Sequence, residues 1–198
     1  MSKLDENIAA QSDDFFAVVD ENDTVIDRQR RSFVHKNGLM HRAVHAIVIG
    51  NGGKILAQMR SKYKDRAPLC YTTSSSGHVD YGETYEQALV RETKEELGID
   101  TELADYIYIG KLDACKQTDM EFVKVYVLRH NGPFVFPPAE IDSLDWYTKA
   151  EIERLMQTNP EKFSGAFVYV YKYFAQICKK NSNLRLKLED FLNMGQIS

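Results

Sequence analysis

Between residues 15 and 60 the apolar positions fall in short stretches separated by polar punctuation, the spacing of strands rather than helices. FFAVVD and TVIDRQ flank Glu21-Asn22-Asp23 and predict a hairpin. Ser32 is placed to cap a short helical turn through Phe33 and Val34, which Gly38 would end. Residues 42–49, RAVHAIVI, predict a strong strand, and Asn51-Gly52-Gly53 a turn from which KILAQMR returns as its partner. Residues 61–76 are polar and irregular, a loop interrupted by a short strand near Tyr71–Thr73.

The period changes after residue 84. Thr84 with Gln87 makes a capping box, so a helix should begin near residue 85, and Gly98 suits the left-handed conformation that ends one. Tyr85, Leu89, Thr93 and Leu97 form its core-facing stripe. Glu92, Glu95 and Glu96 stand at i, i+3 and i+4, so they share one face at the edge of that stripe.

Beyond the helix, Tyr106–Leu112 and Phe122–Leu128 read as strands joined by the turn DACKQTD. Gly132, Pro133, Pro137 and Pro138 mark a loop, and Ile141–Trp146 a further strand. Thr148 should cap a helix through Met156. Asn159 and Pro160 should open the next, with Phe163, Phe167, Val170, Phe174 and Ile177 as its apolar stripe. A last helix is expected over Leu184–Leu192. Strands, a helix, more strands and then helices make an α+β chain. The expected organisation is a flexible tail over residues 1–14 and one domain over 15–198, with C-terminal helices at about 159–193.

A net charge of -4 gives no attraction to nucleic acid or to a membrane surface. No apolar run reaches the roughly 18 residues that span a bilayer. Cys70, Cys115 and Cys178 are odd in number and widely spaced, which suggests reduced thiols in the cytoplasm. Homodimerisation is left open.

The chemistry concentrates in residues 77–99, GHVDYGETYEQALVRETKEELGI. Gly77, Glu83, Arg91, Glu92, Glu95, Glu96 and Gly98 fall in a register that resembles the Nudix box, with Thr93 in one slot that is usually apolar. Chance agreement at seven such positions is on the order of 10⁻⁸ per starting point. The resemblance implies a mixed β-sheet sandwiched between α-helices, and a hydrolase that cleaves a phosphoanhydride bond in a small-molecule diphosphate. Three like charges on one helix face repel unless a cation answers them, and hard oxygen ligands suit Mg²⁺ or Mn²⁺. Glu92, Glu95 and Glu96 are the expected metal ligands. Glu95, Glu96 and Glu121 are the candidate general bases. The resemblance gives Arg91 a scaffold role, pairing with Glu83 to shape the loop that Gly77 opens.

The stretch HRAVHAIVIGNGGKILAQMRS and the loop SSSGHVDYGE also resemble the branch that contains isopentenyl-diphosphate isomerase. In that enzyme histidines and two acids hold a metal. Here His41 and His78 match two of the histidines, Asp119 and Glu121 the acidic pair, and His35 offers a further ligand. His41 and His78 are also candidates, with the strand-end Arg60, for binding substrate phosphate. Ser76 stands where the isomerase has a catalytic cysteine, and a neutral hydroxyl is a poorer proton-transfer partner. The carboxylates that the isomerase has mostly lost are present here. Hydrolase is therefore expected, with an isomerase or a non-catalytic Nudix binding module as alternatives. His45, inside an apolar strand, reads as structural, and His130 as facing water.

Overall fold

The computed structural model describes residues 14–193, so all but the last residue of the expected tail lies outside the described residues. The hairpin forms as β1 (Phe15–Val19) and β2 (Val25–Arg30), an antiparallel ribbon apart from the main sheet. At its turn Asp23 adopts φ 63°, a left-handed conformation that Asp tolerates better than most residues. Helix α1 (Arg31–Asn37) follows directly. Ser32 does not cap it: the helix begins at Arg31, with extended Arg30 at the N-cap and no side-chain cap bond. Gly38, at φ 59°, closes it.

The main sheet has seven strands: β3 (His41–Ile49), β4 (Ile55–Arg60), β5 (Tyr71–Thr72), β6 (Ser75–His78), β7 (Tyr106–Leu112), β8 (Glu121–Arg129) and β9 (Ile141–Tyr147). Central β3 runs parallel to β8, from His41 opposite Glu121 to Ile49 opposite Arg129. The expectation that KILAQMR pairs with β3 holds only at Ile49 and Ile55, after which β4 diverges to pair with β9. Residues 71–78 fill the wedge, with β5 on β4 and β6 on β3. At the fork the buried Ser74 hydroxyl accepts the Val48 N–H (2.7 Å) and donates to the Leu56 carbonyl (2.6 Å). One side chain thus satisfies two backbone groups that the divergence would leave unpaired. Strand β6 was expected as loop, because Ser75-Ser76-Gly77-His78 carries no apolar alternation. Its pairing is imposed by the open edge of β3.

Alternation along β3 and β8 sorts the core into two layers. Ala43, Ile47, Val123, Val125 and Val127 pack against Ile152, Phe167, Val170, Phe174 and Leu188 of the C-terminal helices α3 (Lys149–Thr158), α4 (Gly165–Lys180) and α5 (Ser182–Asn193). Val44, Ala46, Val48, Tyr126 and Leu128 face Tyr85, Ala88, Leu89 and Leu97 of α2 (Tyr85–Leu97). A fully buried Leu such as Leu89 contributes about 2 kcal/mol by its removal from water. The result is the expected α+β architecture, a mixed sheet between helical layers.

The α2 boundaries follow their caps: Thr84 and Gln87 form the reciprocal capping box, and Gly98 sits at φ 68°. Helix α3 has a capping box of Thr148 with Glu151 and runs two residues past Met156. The next boundary departs from expectation. Pro160–Lys162 form only a 3₁₀ turn, and α4 starts at Gly165, where Ser164 Oγ accepts the Phe167 N–H (3.1 Å). Phe163 therefore lies outside the helix, in a β-bridge to Tyr71. Among the described residues, no helix is long and apolar enough to cross a membrane.

Candidate active site

Strand β6 lies against α2 and delivers its backbone to the helix carboxylates. A Cβ built on Gly77 would fall 1.9 Å from Glu92 Cδ, so the Glu92 carboxyl group rests directly on the strand backbone. One residue earlier, the Ser76 N–H donates to Glu96 Oε2 (2.8 Å). Glu96 is buried, Glu92 is mostly covered, and Glu95 stands at the rim with its side chain 58% exposed. The shared face predicted for the three is thus graded from floor to edge. Burial first, and then the charge of Glu96, pushes the Glu92 carboxyl up to about 8. Burial also raises Glu96, against the hydrogen bond from Ser76. Thr93, in the normally apolar slot, is fully buried and donates its hydroxyl to the Leu89 carbonyl (2.8 Å), which removes the cost of a polar group there.

Arg91 ties this helix to the preceding loop. Its Nε and Nη2 each lie 2.8 Å from a Glu83 carboxylate oxygen, and Nη2 also donates to the His78 carbonyl (3.0 Å). Nη1 reaches Glu92 (2.7 Å) and Glu95 (3.2 Å). The Glu83 carboxylate in turn accepts the Asp80 N–H (3.1 Å). The fork geometry that Arg presents is used in full.

A second polar group sits at the other end of β6. His78 Nε2 lies 3.1 Å from Glu121 Oε1, and His41 Nε2 lies 3.7 Å from the same oxygen. Burial pushes the Glu121 carboxyl up, but its contacts with His41 and His78 outweigh it and hold the group well below the usual range. His35, on α1, completes the group: its Nδ1 lies 3.0 Å from Asp119 Oδ2, and Asp119 also pairs with Arg66. One ring nitrogen from each of His35, His41 and His78 falls within 4.8 Å of the others. Phe16 from the hairpin walls the group, stacking 4.4 Å from the His78 ring and 5.5 Å from that of His41.

Both groups open on one cavity of about 620 Å³. Glu92, Glu95, Glu96, Arg91, Gly77, His78, Glu121, His35, Asp119 and Arg60 all line it. Arg60 Nε donates to the Arg66 carbonyl (3.0 Å), and burial lowers the guanidinium's pKa from its ordinary value. His41 does not line the cavity. It is 1% exposed, with Nδ1 on the Leu39 carbonyl (2.9 Å). Its Nε2 is buried without a hydrogen bond. His130 is not simply solvated either: its Nδ1 accepts the Gly132 N–H (2.9 Å) and orders that turn. Gly98, the C-cap of α2, and Glu83, paired with Arg91, are not among the residues that line the cavity.

Sequence reasoning missed Phe16, Lys64, Lys116 and His45 as cavity residues. For His45 a signal existed. It shares the odd-numbered face of β3 with His41 and Ala43, and it lies beside Val125, four residues along β8 from Glu121.

The NUDIX domain family matches residues 39–167. A relative from Nostoc sp., described as an uncharacterized Nudix hydrolase, is 39% identical over 147 residues, covering 73% of this chain and 87% of its own. An isopentenyl-diphosphate Delta-isomerase from Serratia proteamaculans is 29% identical over 163 residues, covering 81% of this chain and 90% of its own. A crystal structure of a Deinococcus radiodurans protein superimposes with a TM-score of 0.68 at 24% identity, covering 80% of this chain and 96% of that one.

Proposed function

The chain belongs to the Nudix hydrolase family, and from that premise we propose that it hydrolyses a phosphoanhydride bond in a diphosphate linked to another moiety, with Mg²⁺ or Mn²⁺ as cofactor. The observation that carries the reading is the convergence of Glu92, Glu95 and Glu96 with Arg60 on one cavity. The donor set fits a hard divalent cation. All three are carboxylates, and Glu92 and Glu96 are crowded and buried enough to be pushed toward neutrality, a cost that a cation would relieve. These three residues would hold the ion, which when bound neutralises diphosphate charge and polarises phosphorus.

The remaining work falls to the chain. Arg60, with Nε already committed to a carbonyl, turns its terminal nitrogens to phosphate oxygens. A carboxylate oxygen of Glu95 or Glu96 takes the proton of the attacking water. Glu121 is the poorest base of the three candidates, since its histidine partners hold it ionised far below neutrality. Arg91 and Glu83 keep the loop and helix in register.

A second divalent cation, held by His35, His41, His78 and Glu121, is favoured by one further observation. The buried His41 Nε2 has no hydrogen bond, and such an atom is costly unless a ligand uses it. Elemental analysis of the purified protein and of His78→Ala tests this: a metal present in both at equal stoichiometry argues against it.

The isomerase alternative is weakened by Ser76. The test incubates the protein and Mg²⁺ with a panel of diphosphates, following monophosphate release, and separately with isopentenyl diphosphate in heavy water. Release of a monophosphate from at least one compound is expected. Deuterium entering isopentenyl diphosphate at enzymatic turnover, with the diphosphate intact, would overturn the hydrolase reading.

A further inference from the structure

Asp119 and Glu121 stand two apart, and in a continuous strand they would face the same way. The structure separates them. Strand β8 begins at Glu121, and Asp119 (φ 59°) and Met120 (φ 65°) before it are both left-handed. The Asp119 N–H closes the 3₁₀ turn Lys116–Thr118 on the Lys116 carbonyl (3.2 Å), and the Met120 N–H reaches the Cys115 carbonyl (2.7 Å). Left-handed backbone at two successive residues other than glycine persists only where the surroundings hold it. With the alternation broken, Glu121 meets His41 and His78, whereas Asp119 meets His35 and Arg66.

The Asp119 contact fixes the hydrogen of the His35 ring. An ionised carboxylate only accepts, so Nδ1, 3.0 Å from Asp119 Oδ2, carries the hydrogen and Nε2 keeps its lone pair. That Nε2 is buried without a hydrogen bond, like Nε2 of His41. A carboxylate on the far nitrogen is what sets the tautomer and orientation of a metal-bound imidazole. Arg66 holds the carboxylate from the other side. Its guanidinium pairs with Asp119 and its carbonyl accepts Arg60 Nε (3.0 Å), so it also joins the strand-end Arg60 to this group. His35, Asp119, Arg66 and Arg60 all line the one cavity.

On the reading that His35, His41, His78 and Glu121 hold a second divalent cation, we propose that Asp119 is a positioning residue and not a metal ligand. Clamped by Arg66, it presents the His35 Nε2 to that cation. This departs from the resemblance, in which both acids of the pair are ligands. The sign of the Arg66 effect separates the clamp from simple electrostatics. Loss of a positive charge beside a cation site would by itself tighten binding. Loss of the clamp frees Asp119 and with it the His35 ring, and weakens binding.

The experiment strips the full-length protein with chelator, restores excess Mg²⁺ to the carboxylate site, and titrates Zn²⁺, which suits imidazole ligands better than Mg²⁺, against a fluorescent indicator. Wild type should hold a further Zn²⁺ ion that His78→Ala does not. For that ion Asp119→Ala should weaken affinity about 10- to 100-fold. Arg66→Ala should weaken it too, by less. Asp119→Asn, whose amide oxygen still accepts from Nδ1, should recover most of the loss. In the metal-free proteins, imidazole ¹⁵N shifts should place the His35 hydrogen on Nδ1 in wild type and Asp119→Asn, and spread it over both nitrogens in Asp119→Ala. Circular dichroism and thermal melting check each fold, and the wild-type ¹⁵N spectrum needs no variant. Wild-type affinity in Asp119→Ala, tighter binding in Arg66→Ala, Asp119→Asn no better than Asp119→Ala, or the His35 hydrogen on Nε2 in wild type would each overturn the positioning role and leave the second cation standing. Equal Zn²⁺ stoichiometry in wild type and His78→Ala would overturn the second cation and the positioning role together, while leaving phosphoanhydride hydrolysis untouched.

Discussion

The Glu92 carboxyl group and the Gly77 backbone are packed with no room between them: a Cβ at residue 77 would also fall 2.0 Å from Glu92 Oε1. The backbone of Gly77 is not in the left-handed region, so alanine suits the strand conformation and its nearest collision is with the glutamate. Gly77→Ala should fold but displace Glu92, and a shift of about 1 Å in such a group costs on the order of 10²-fold in kcat. Steady-state hydrolysis, with thermal melting as the fold check, decides it. Unchanged turnover would show that the position of Glu92 does not matter.

Crowding of Glu92 against Glu96 has a pH signature. In the unfolded chain Glu92 titrates near 4.5, and in the metal-free fold burial, then Glu96, raises it to about 8. The folded state therefore binds the extra proton. The associated stability is fully present below about 4.5 and is lost as pH rises through 8. Between pH 5 and 9 the metal-free Tm should fall, and Mg²⁺ should raise it most at the alkaline end. Glu92→Gln should flatten the slope. Thermal melts with and without chelator measure both, and a metal-free Tm independent of pH over that range would refute the assignment.

Arg91 serves Glu83, Glu92 and Glu95 with one guanidinium. Lysine cannot reproduce the paired bonds to Glu83. Arg91→Lys and Arg91→Ala should both destabilise the fold, the second by about 2 kcal/mol or more, since partly buried carboxylates lose their partner. Denaturant unfolding gives the values directly. Equal stability of all three proteins would remove Arg91 from the scaffold.

Asp23 anchors the hairpin to the body of the protein. Its carboxylate accepts from Arg42 Nε (2.6 Å), the Tyr85 hydroxyl (2.9 Å) and Lys111 Nζ (3.1 Å), which come from β3, α2 and β7. Asp23→Ala should speed amide exchange in residues 15–30 by at least ~10-fold while exchange in β3 and β8 changes little. A uniform increase across the sheet would mean that the hairpin and the body open together.

Legibility in the sequence followed locality. The limits of α2 were readable because Thr84, Gln87 and Gly98 act on the backbone within a few residues. The parting of β4 from β3 was not, because it depends on Ser74 and on β9, about 80 residues later in the chain. Strand β6 was hidden by its polar residues. The carboxylate face of α2 was visible as spacing, but its gradient from buried Glu96 to exposed Glu95 depends on where β6 lies. His41 was read as a substrate contact because spacing reveals proximity and not which side of a wall a ring occupies.

The family match begins at residue 39, whereas Phe16 and His35 precede it. A protein trimmed to the matched segment would retain every strand of the main sheet and all the residues of the box. It would nonetheless lack the ring that shields His78 and one of the three clustered imidazoles. The hairpin and α1 are thus part of the cavity wall rather than decoration upstream of it, and an N-terminal boundary set at the start of the matched segment would breach that wall.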